Sequence, residues 1–313
     1  MASNVVVLGV LLVLMGGSGA SAFVPMIGLV PRVVGPERRG FVMSLLSSSP
    51  SYGVVLSSLL VPAFAGSGSW RGVWWIVGTA AMGLVIFAAV MFRRTGLFRP
   101  AAEEIADPAG AGAASLRAAM PWVLVILLLG FFNGFATYPY LNFLSATLRE
   151  ELGYSIGFAA GLWSVIGCVG IFAGFLVGGI SARFGVRTAI LVCYASAFAA
   201  SGLMASAPGP ALAVLSAVLF ALSFYPIYGL VPAYVSLKTS PATAVTVFGM
   251  VTVLQGIGGT LGNYLSGLSQ ELTGTFSWIY VGCSVSGVIC LIATLGLPRQ
   301  AVSAPTGPVC TAA

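Results

Sequence analysis

Long apolar stretches separated by short polar connections fill most of the chain. Nine of these stretches are long enough, at about 20 residues, to cross a bilayer as helices. They cover roughly residues 4–30, 40–65, 71–92, 120–148, 155–180, 187–206, 210–236, 244–269 and 276–297. The pattern predicts an all-α polytopic membrane protein, a helical bundle of about nine transmembrane helices.

One connection differs from the others in its composition. Residues 93–119 are charged and rich in Ala, Gly and Pro, which is typical of a flexible linker. This linker predicts a partial N-terminal bundle of three helices in residues 1–92 and a six-helix bundle in residues 120–298. Residues 299–313 are expected to form a flexible tail.

The composition agrees with a membrane protein, and the charges indicate its orientation. Charged residues make up 6% of the chain, against about 25% in ordinary soluble domains. If successive connections alternate sides, one side holds eleven Lys and Arg residues and the other holds only Arg71 and Arg149. The positive-inside rule then predicts a cytoplasmic linker and C-terminus and an external N-terminus.

This asymmetry accounts for the net charge of +6 without a nucleic-acid partner. The expected surroundings are a lipid bilayer, and we expect a multi-pass protein of a bacterial cytoplasmic membrane. A cleaved signal peptide ending near Ala22 is the alternative for the N-terminus, but no Lys or Arg precedes Arg32, as a secretory signal would require.

Two phrases of the sequence repeat at long range. FVPMIGLVP, residues 23–31, and FYPIYGLVP, residues 224–232, agree at six of nine positions. A second match pairs Gly68, Trp74 and Gly78 with Gly274, Trp278 and Gly282. The first three predicted helices therefore correspond to the last three, and the middle three have no counterpart. Because parallel repeats of six helices are a known transporter plan, the repeat predicts that three helices are missing from the front.

Three segments carry a resemblance to a known family: ERRG at 37–40, GSWRGVWWIVG at 68–78 and GGISARFGVR at 178–187. In order and spacing they resemble spans four to twelve of a twelve-span major facilitator superfamily transporter. The last segment is similar to the family's cytoplasmic loop motif, which Gly178, Arg183, Gly185 and Arg187 fit. Ala182 stands where that motif normally has Asp.

The resemblance implies secondary active or facilitative transport of a small organic solute by alternating access. The fourth and seventh spans are then expected to line the cavity, and the eighth carries polar and small residues, Gln255 among them, on one helical face. On the fourth, Asn133, Thr137 and Tyr140 share one helical face, whereas Tyr138 and Asn142 lie opposite. The candidates for the substrate path are Asn133, Thr137, Tyr140, Trp163, Tyr225, Tyr228 and Gln255. Hydrogen bonding between helices is the alternative role for these side chains.

Two further features fit helices that slide or tilt. Gly170, Gly174 and Gly178 recur every four residues, which permits close helix packing, static or sliding. Pro25 with Gly28, and Pro226 with Gly229, are candidate helix hinges, with inherited kinks as the alternative.

The spans contain no Asp, Glu, Lys, Arg or His deep within them, although proton relays in membranes commonly use such groups. The sequence therefore does not identify a coupling ion, and it indicates no cofactor or metal site. We expect no enzyme, because His is absent and the acidic residues lie in connections. A non-transporting fragment or accessory subunit is the alternative function, and the oligomeric state is not indicated. If the missing helices are required, the chain alone should show no saturable flux in liposomes.

The charge asymmetry makes the orientation testable. We expect a tag inserted at residue 105 or placed at the C-terminus to be cytoplasmic, because these regions belong to the basic side. A tag within residues 270–275 should be accessible from outside. Labelling of tagged variants in intact and permeabilised cells measures this, and labelling of position 105 in intact cells would contradict it.

Overall fold

A computed structural model of the protein describes residues 7, 9–11, 13, 14, 16, 30, 34–65, 71–95 and 109–298. In the three long segments every regular element is a helix. In chain order these are α1 (Pro36–Ser47), α2 (Pro50–Ala65), α3 (Arg71–Thr95), α4 (Ala109–Ala146), α5 (Ile156–Phe184), α6 (Val186–Ala205), α7 (Pro210–Ser236), α8 (Pro241–Thr273) and α9 (Ser277–Leu295). A π-helical turn, Thr147–Glu151, continues α4.

The prediction of an all-helical membrane protein is confirmed. Within the described ranges, eight stretches are long and apolar enough to cross a membrane, and α1 with α2 forms one of them. They correspond to the second through ninth predicted spans. Most of the first, residues 4–30, lies outside the described residues, and so do Pro25 and Gly28.

Helix α4 begins earlier than the apolar pattern predicts. It starts at Ala109, eleven residues before the predicted span at 120, and α3 continues to Thr95. Residues 109–119 are rich in Ala, the strongest helix former. Hydropathy detects only the apolar part of a helix. It therefore locates the start of the membrane span and not the start of the helix.

Helices α4 to α9 pack around α7. The apolar span of α7 is 61% buried, against 44% or less for the other spans. It lies against α5 and α6 and also reaches α1 and α8, while α4 runs along α8. One apolar cluster includes Ile190, Leu230 and Val247, and a second includes Leu162 and Tyr280. The most buried of these helices, which also contains Pro226 and Pro232, is thus central to the bundle.

The contact between α4 and α8 is made by backbone. A Cβ at Gly134 would overlap the Gln255 carbonyl oxygen, and one at Gly258 would overlap that of Phe131. Gly262 has the same relation to Phe135. These glycines allow the two helices to approach more closely than side chains would permit, which fixes their register.

A seam of small residues joins α1 and α2 to α5. The facing pairs are Gly40 with Ser181, Phe41 with Gly178, Ser44 with Gly174, Ser51 with Gly170, Val55 with Gly167 and Ser58 with Ser164. Residue numbers rise along α1 and α2 as they fall along α5, so these helices run antiparallel. On α5 the contacts recur at steps of three and four residues, which keeps them on one helical face. The Ser48 hydroxyl adds a bond across the seam, accepting from Gly174 N–H at 2.9 Å.

A carboxylate ties α4 to the start of α9. Glu151 Oε1 accepts from the hydroxyls of Thr275 at 2.5 Å and Ser277 at 3.2 Å, and its Oε2 accepts from Phe276 N–H. A carboxylate is favoured at a helix N-terminus because it faces unpaired N–H groups and the positive end of the helix dipole. Glu151 therefore caps α9 from another element of the bundle, which we call the Glu151 cap.

The seam predicts unequal effects of one added methyl group. Gly174→Ala should destabilise the protein by about 1–3 kcal/mol, because its Cβ meets the Ser44 carbonyl and the Ser48 hydroxyl. Gly179→Ala is the matched control on the same helix, since its Cβ would meet no atom within 4 Å. Thermal denaturation of the purified variants in detergent measures both. Equal melting temperatures would contradict the seam.

Candidate functional site

A small cavity lies between α4, α6, α7 and α8. Its lining residues are Gly130, Asn133, Tyr194, Ile227, Tyr228, Val231, Phe248, Val251 and Gln255. Most of this wall is aliphatic or aromatic, and the polar groups are two amides and two tyrosine hydroxyls. A mainly apolar wall with a few placed polar groups is the usual character of a small-molecule site.

Gln255 is the best-fixed polar residue of the cavity. Its Nε2 donates to the Tyr228 hydroxyl oxygen at 2.6 Å, and its side chain is 6% exposed. The backbone of Gln255 is held against α4 at Gly134, where a side chain would not fit. One Nε2 hydrogen is used by Tyr228, so the second N–H remains to donate and the carbonyl Oε1 to accept a bond from a solute.

Asn133 completes the predicted polar group. It is half-buried on α4, one turn after Gly130, and makes no hydrogen bond to another described residue. Its amide offers both a donor and an acceptor. The structure thus brings together Asn133, Tyr228 and Gln255, three of the seven residues predicted for the substrate path.

Thr137 and Tyr140 are buried in the bundle but do not line this cavity. The Tyr140 hydroxyl bonds to Ser216 Oγ at 2.7 Å, and its ring stacks on Phe220 with 3.9 Å between centroids. Helical spacing grouped these residues with Asn133, but spacing does not report how far along the helix the cavity extends. Tyr140 is a satisfied core residue in this structure.

Tyr225 and Trp163 also lie away from the cavity. The Tyr225 ring packs on Gly170 beside Ser51, on the seam, although Tyr228 is only three residues further along α7. Trp163 Nε1 donates to Ser145 Oγ at 2.9 Å and so joins α5 to α4. Both side chains make contacts between helices, which is the alternative role given by the sequence.

Sequence reasoning missed one tyrosine of the cavity, Tyr194 on α6. Tyr138, which the sequence placed on the opposite face of its helix from Asn133, packs its ring on Gly259 of α8 and neighbours Tyr228. Tyr194 is the only tyrosine in a span of mostly small and apolar residues. An aromatic residue there is as typical of helix packing as of a solute site. A helical period predicts which residues share a face of one helix, but not which other helix that face meets.

The residues of the loop motif connect helices. Gly185, at φ 87°, ends α5 and precedes α6 in a backbone conformation that favours glycine. Arg187 donates from Nε to the Thr294 carbonyl at 3.2 Å and from a terminal nitrogen to that of Leu295 at 2.6 Å. Arg183 is exposed, with its guanidinium 5.5 Å from the centre of the Phe184 ring. Arg187 therefore caps the end of α9.

Gly178 and Gly229 both lie at contacts with α1. Gly178 packs against Phe41. A Cβ at Gly229 would overlap the Met43 carbonyl oxygen, and α7 continues unbroken through Pro226. Near the same end of the bundle, Arg39 on α1 donates to the Ser236 carbonyl at 3.0 Å. These contacts join the two parts of the chain through α1 and α7.

The apolar helices of membrane length and the small cavity between them describe a polytopic membrane protein. The model of one family, the Major Facilitator Superfamily, matches residues 1–263, and the chain belongs to that family. The expected resemblance is confirmed. The protein is therefore an integral multi-pass membrane protein of a transporter family and not of an enzyme family. No curated protein matches the chain.

The two arginines of the loop motif should differ in their effect on stability. Arg187→Ala should destabilise the protein by about 1 kcal/mol or more, since two terminal carbonyls of α9 lose their donor. Arg183→Ala removes the same charge from an exposed position and should have little effect. Melting temperatures of the purified variants compare the two. A larger effect of Arg183→Ala would contradict the capping role.

Proposed function

We propose that the protein is a secondary active or facilitative transporter that moves a small organic solute by alternating access. The cavity between α4, α6, α7 and α8 is its proposed solute site. The observation that carries this proposal is the convergence of Asn133, Tyr228 and Gln255 on one cavity in a member of a transporter family. Polar groups in a membrane protein interior are costly unless they are bonded or serve a ligand.

The packing between the two parts of the chain supports a rocking motion. The proposed parts are the N-terminal helices up to α3 and the six-helix bundle α4 to α9. They meet along the seam and again where Arg39 reaches Ser236 and Gly229 meets Met43. Opening this end would break the Arg39 bond and separate Gly229 from Met43.

The proposed orientation places this end of α1 and α7 in the cytoplasm and the Glu151 cap outside, in a bacterial cytoplasmic membrane. The basic residues Arg38, Arg39 and Lys238 lie near the first end, in keeping with the positive-inside rule. Closure at Arg39 then corresponds to a conformation shut toward the cytoplasm. No coupling ion is assigned, since none of the cavity-lining side chains carries a charge.

The proposal predicts a selective loss of uptake. Gln255→Ala should lower solute uptake at low concentration about threefold to tenfold, because one hydrogen bond to the solute is lost. Asn133→Ala should act in the same direction. Thr260→Ala is the matched control on α8, since Thr260 is exposed and its hydroxyl bonds only to the Gly256 carbonyl of its own helix.

Saturable uptake by cells producing each variant, normalised to its abundance in the membrane, is the measurement. Unchanged kinetics for both cavity variants would reject the site. A loss of abundance in parallel with uptake would favour a packing role. Solute binding without flux, in the purified protein, would favour an accessory subunit over a transporter.

A further inference from the structure

We infer that a water-filled passage runs along α8, from the end of the bundle that carries the Glu151 cap to the cavity, and that Asn142 and Asn263 line it. The inference deepens the proposed function and rests on it for the role of the passage, which is to bring the solute to its site. The water in the passage is a physical property that can be tested without a solute.

An amide pair joins α4 to α8 at the depth of the lipid tails. Asn142 Nδ2 donates to Asn263 Oδ1 at 3.1 Å. Both residues belong to apolar spans, Met120–Glu151 and Thr243–Thr273. At 1.5 Å per residue, each lies about 14–15 Å from the end of its span. Spans of this length exceed a hydrocarbon core of about 30 Å by only about 8 Å at each end, so the pair lies within the core.

The amide pair leaves hydrogen-bonding groups free at this depth. Its bond uses one N–H of Asn142 and one lone pair of the Asn263 oxygen. The other amide groups of the pair bond to no other described residue. Asn142 is exposed and Asn263 is partly exposed. Free amide groups are costly against lipid tails, which offer no partner, but are satisfied by water. The exposure of the pair therefore indicates water on this side of the bundle.

The accessible surface of α8 shows the same division. A polar flank and an apolar flank lie on either side of the stripe that packs on α4. The polar flank, exposed or partly exposed, consists of Thr252, Gly256, Asn263, Gly267 and Gln270. The apolar flank, all exposed, consists of Ile257, Leu261, Leu265, Leu268 and Leu272. Lipid suits only the second of these surfaces, and polar groups within a membrane usually face a water-filled cavity or the protein interior.

The polar flank leads to the cavity. Gly259 lies one turn before Asn263, and the ring of Tyr138, one turn before Asn142, packs on it. Tyr138 also neighbours Tyr228 of the cavity wall. The Tyr138 ring is therefore the barrier between the amide pair and the cavity. A solute that passes it exchanges hydrogen bonds to the pair for hydrogen bonds in the cavity.

Cysteine reactivity distinguishes water from lipid. A thiol reacts with a maleimide as the thiolate, which forms in water but not among lipid tails. Gly256→Cys and Gly267→Cys place thiols on the polar flank, where an added Cβ meets no atom within 4 Å. Ile257→Cys and Leu268→Cys are the matched controls, because each is the next residue along the helix and lies on the apolar flank.

All variants are made in the full chain with Cys168→Ala and Cys310→Ala, since the three other native cysteines are buried. A membrane-impermeant maleimide is applied to intact cells and to inside-out vesicles, and labelling is normalised to protein abundance. We expect both glycine variants to react at least about tenfold faster than both controls. Asn263→Cys should react as the glycine variants do, although it also removes the amide bond.

The outcomes separate this inference from the proposed function. Equal reactivity of the two flanks, or no reaction of the polar flank from either side, would overturn the passage. If the polar flank reacts while Gln255→Ala and Asn133→Ala leave uptake unchanged, the passage stands and the proposed solute site fails. If those two variants reduce uptake and the polar flank does not react, the solute site stands and the passage is wrong.

Discussion

Close approach of helix backbones is the constraint on which the rest of this structure depends. Along the seam, Gly167, Gly170 and Gly174 carry no side chain, so groups of α1, α2 and α7 pack directly on the backbone of α5. In lipid there is little hydrophobic force between helices, so such contacts gain their stability from dense packing and from bonds such as that of Ser48. The position of α1 against α7 follows from this seam.

The same constraint places the site. Gly134 admits the Gln255 carbonyl, and the close register of α4 with α8 sets the depth at which the Gln255 amide enters the bundle. Tyr228 then receives its bond from a side chain whose backbone is already fixed. If this cavity is the proposed solute site, its recognition groups are in place before a solute arrives, which lowers the entropic cost of binding.

The sequence predicted the helices well because each must satisfy its own backbone in lipid and so leaves a long apolar signature. It also placed Asn133, Tyr228 and Gln255 on helices that line the cavity. It could not separate Tyr228 from Tyr225, three residues apart, since their surroundings depend on which helices pack beside α7. Tyr194 was missed for the same reason. The serine side of the seam was missed because the packing role of Ser44 and Ser51 depends on the glycines of α5 that face them.

The Glu151 cap has a consequence for how the α8–α9 connection can vary. Three groups in succession, on Thr275, Phe276 and Ser277, face one carboxylate, and Gly274 supplies the left-handed turn, at φ 74°, that leads into them. Adding or deleting one residue here would shift every donor away from Glu151. Surface connections usually tolerate changes of length, but this one has a length set by a residue more than 120 positions earlier in the chain.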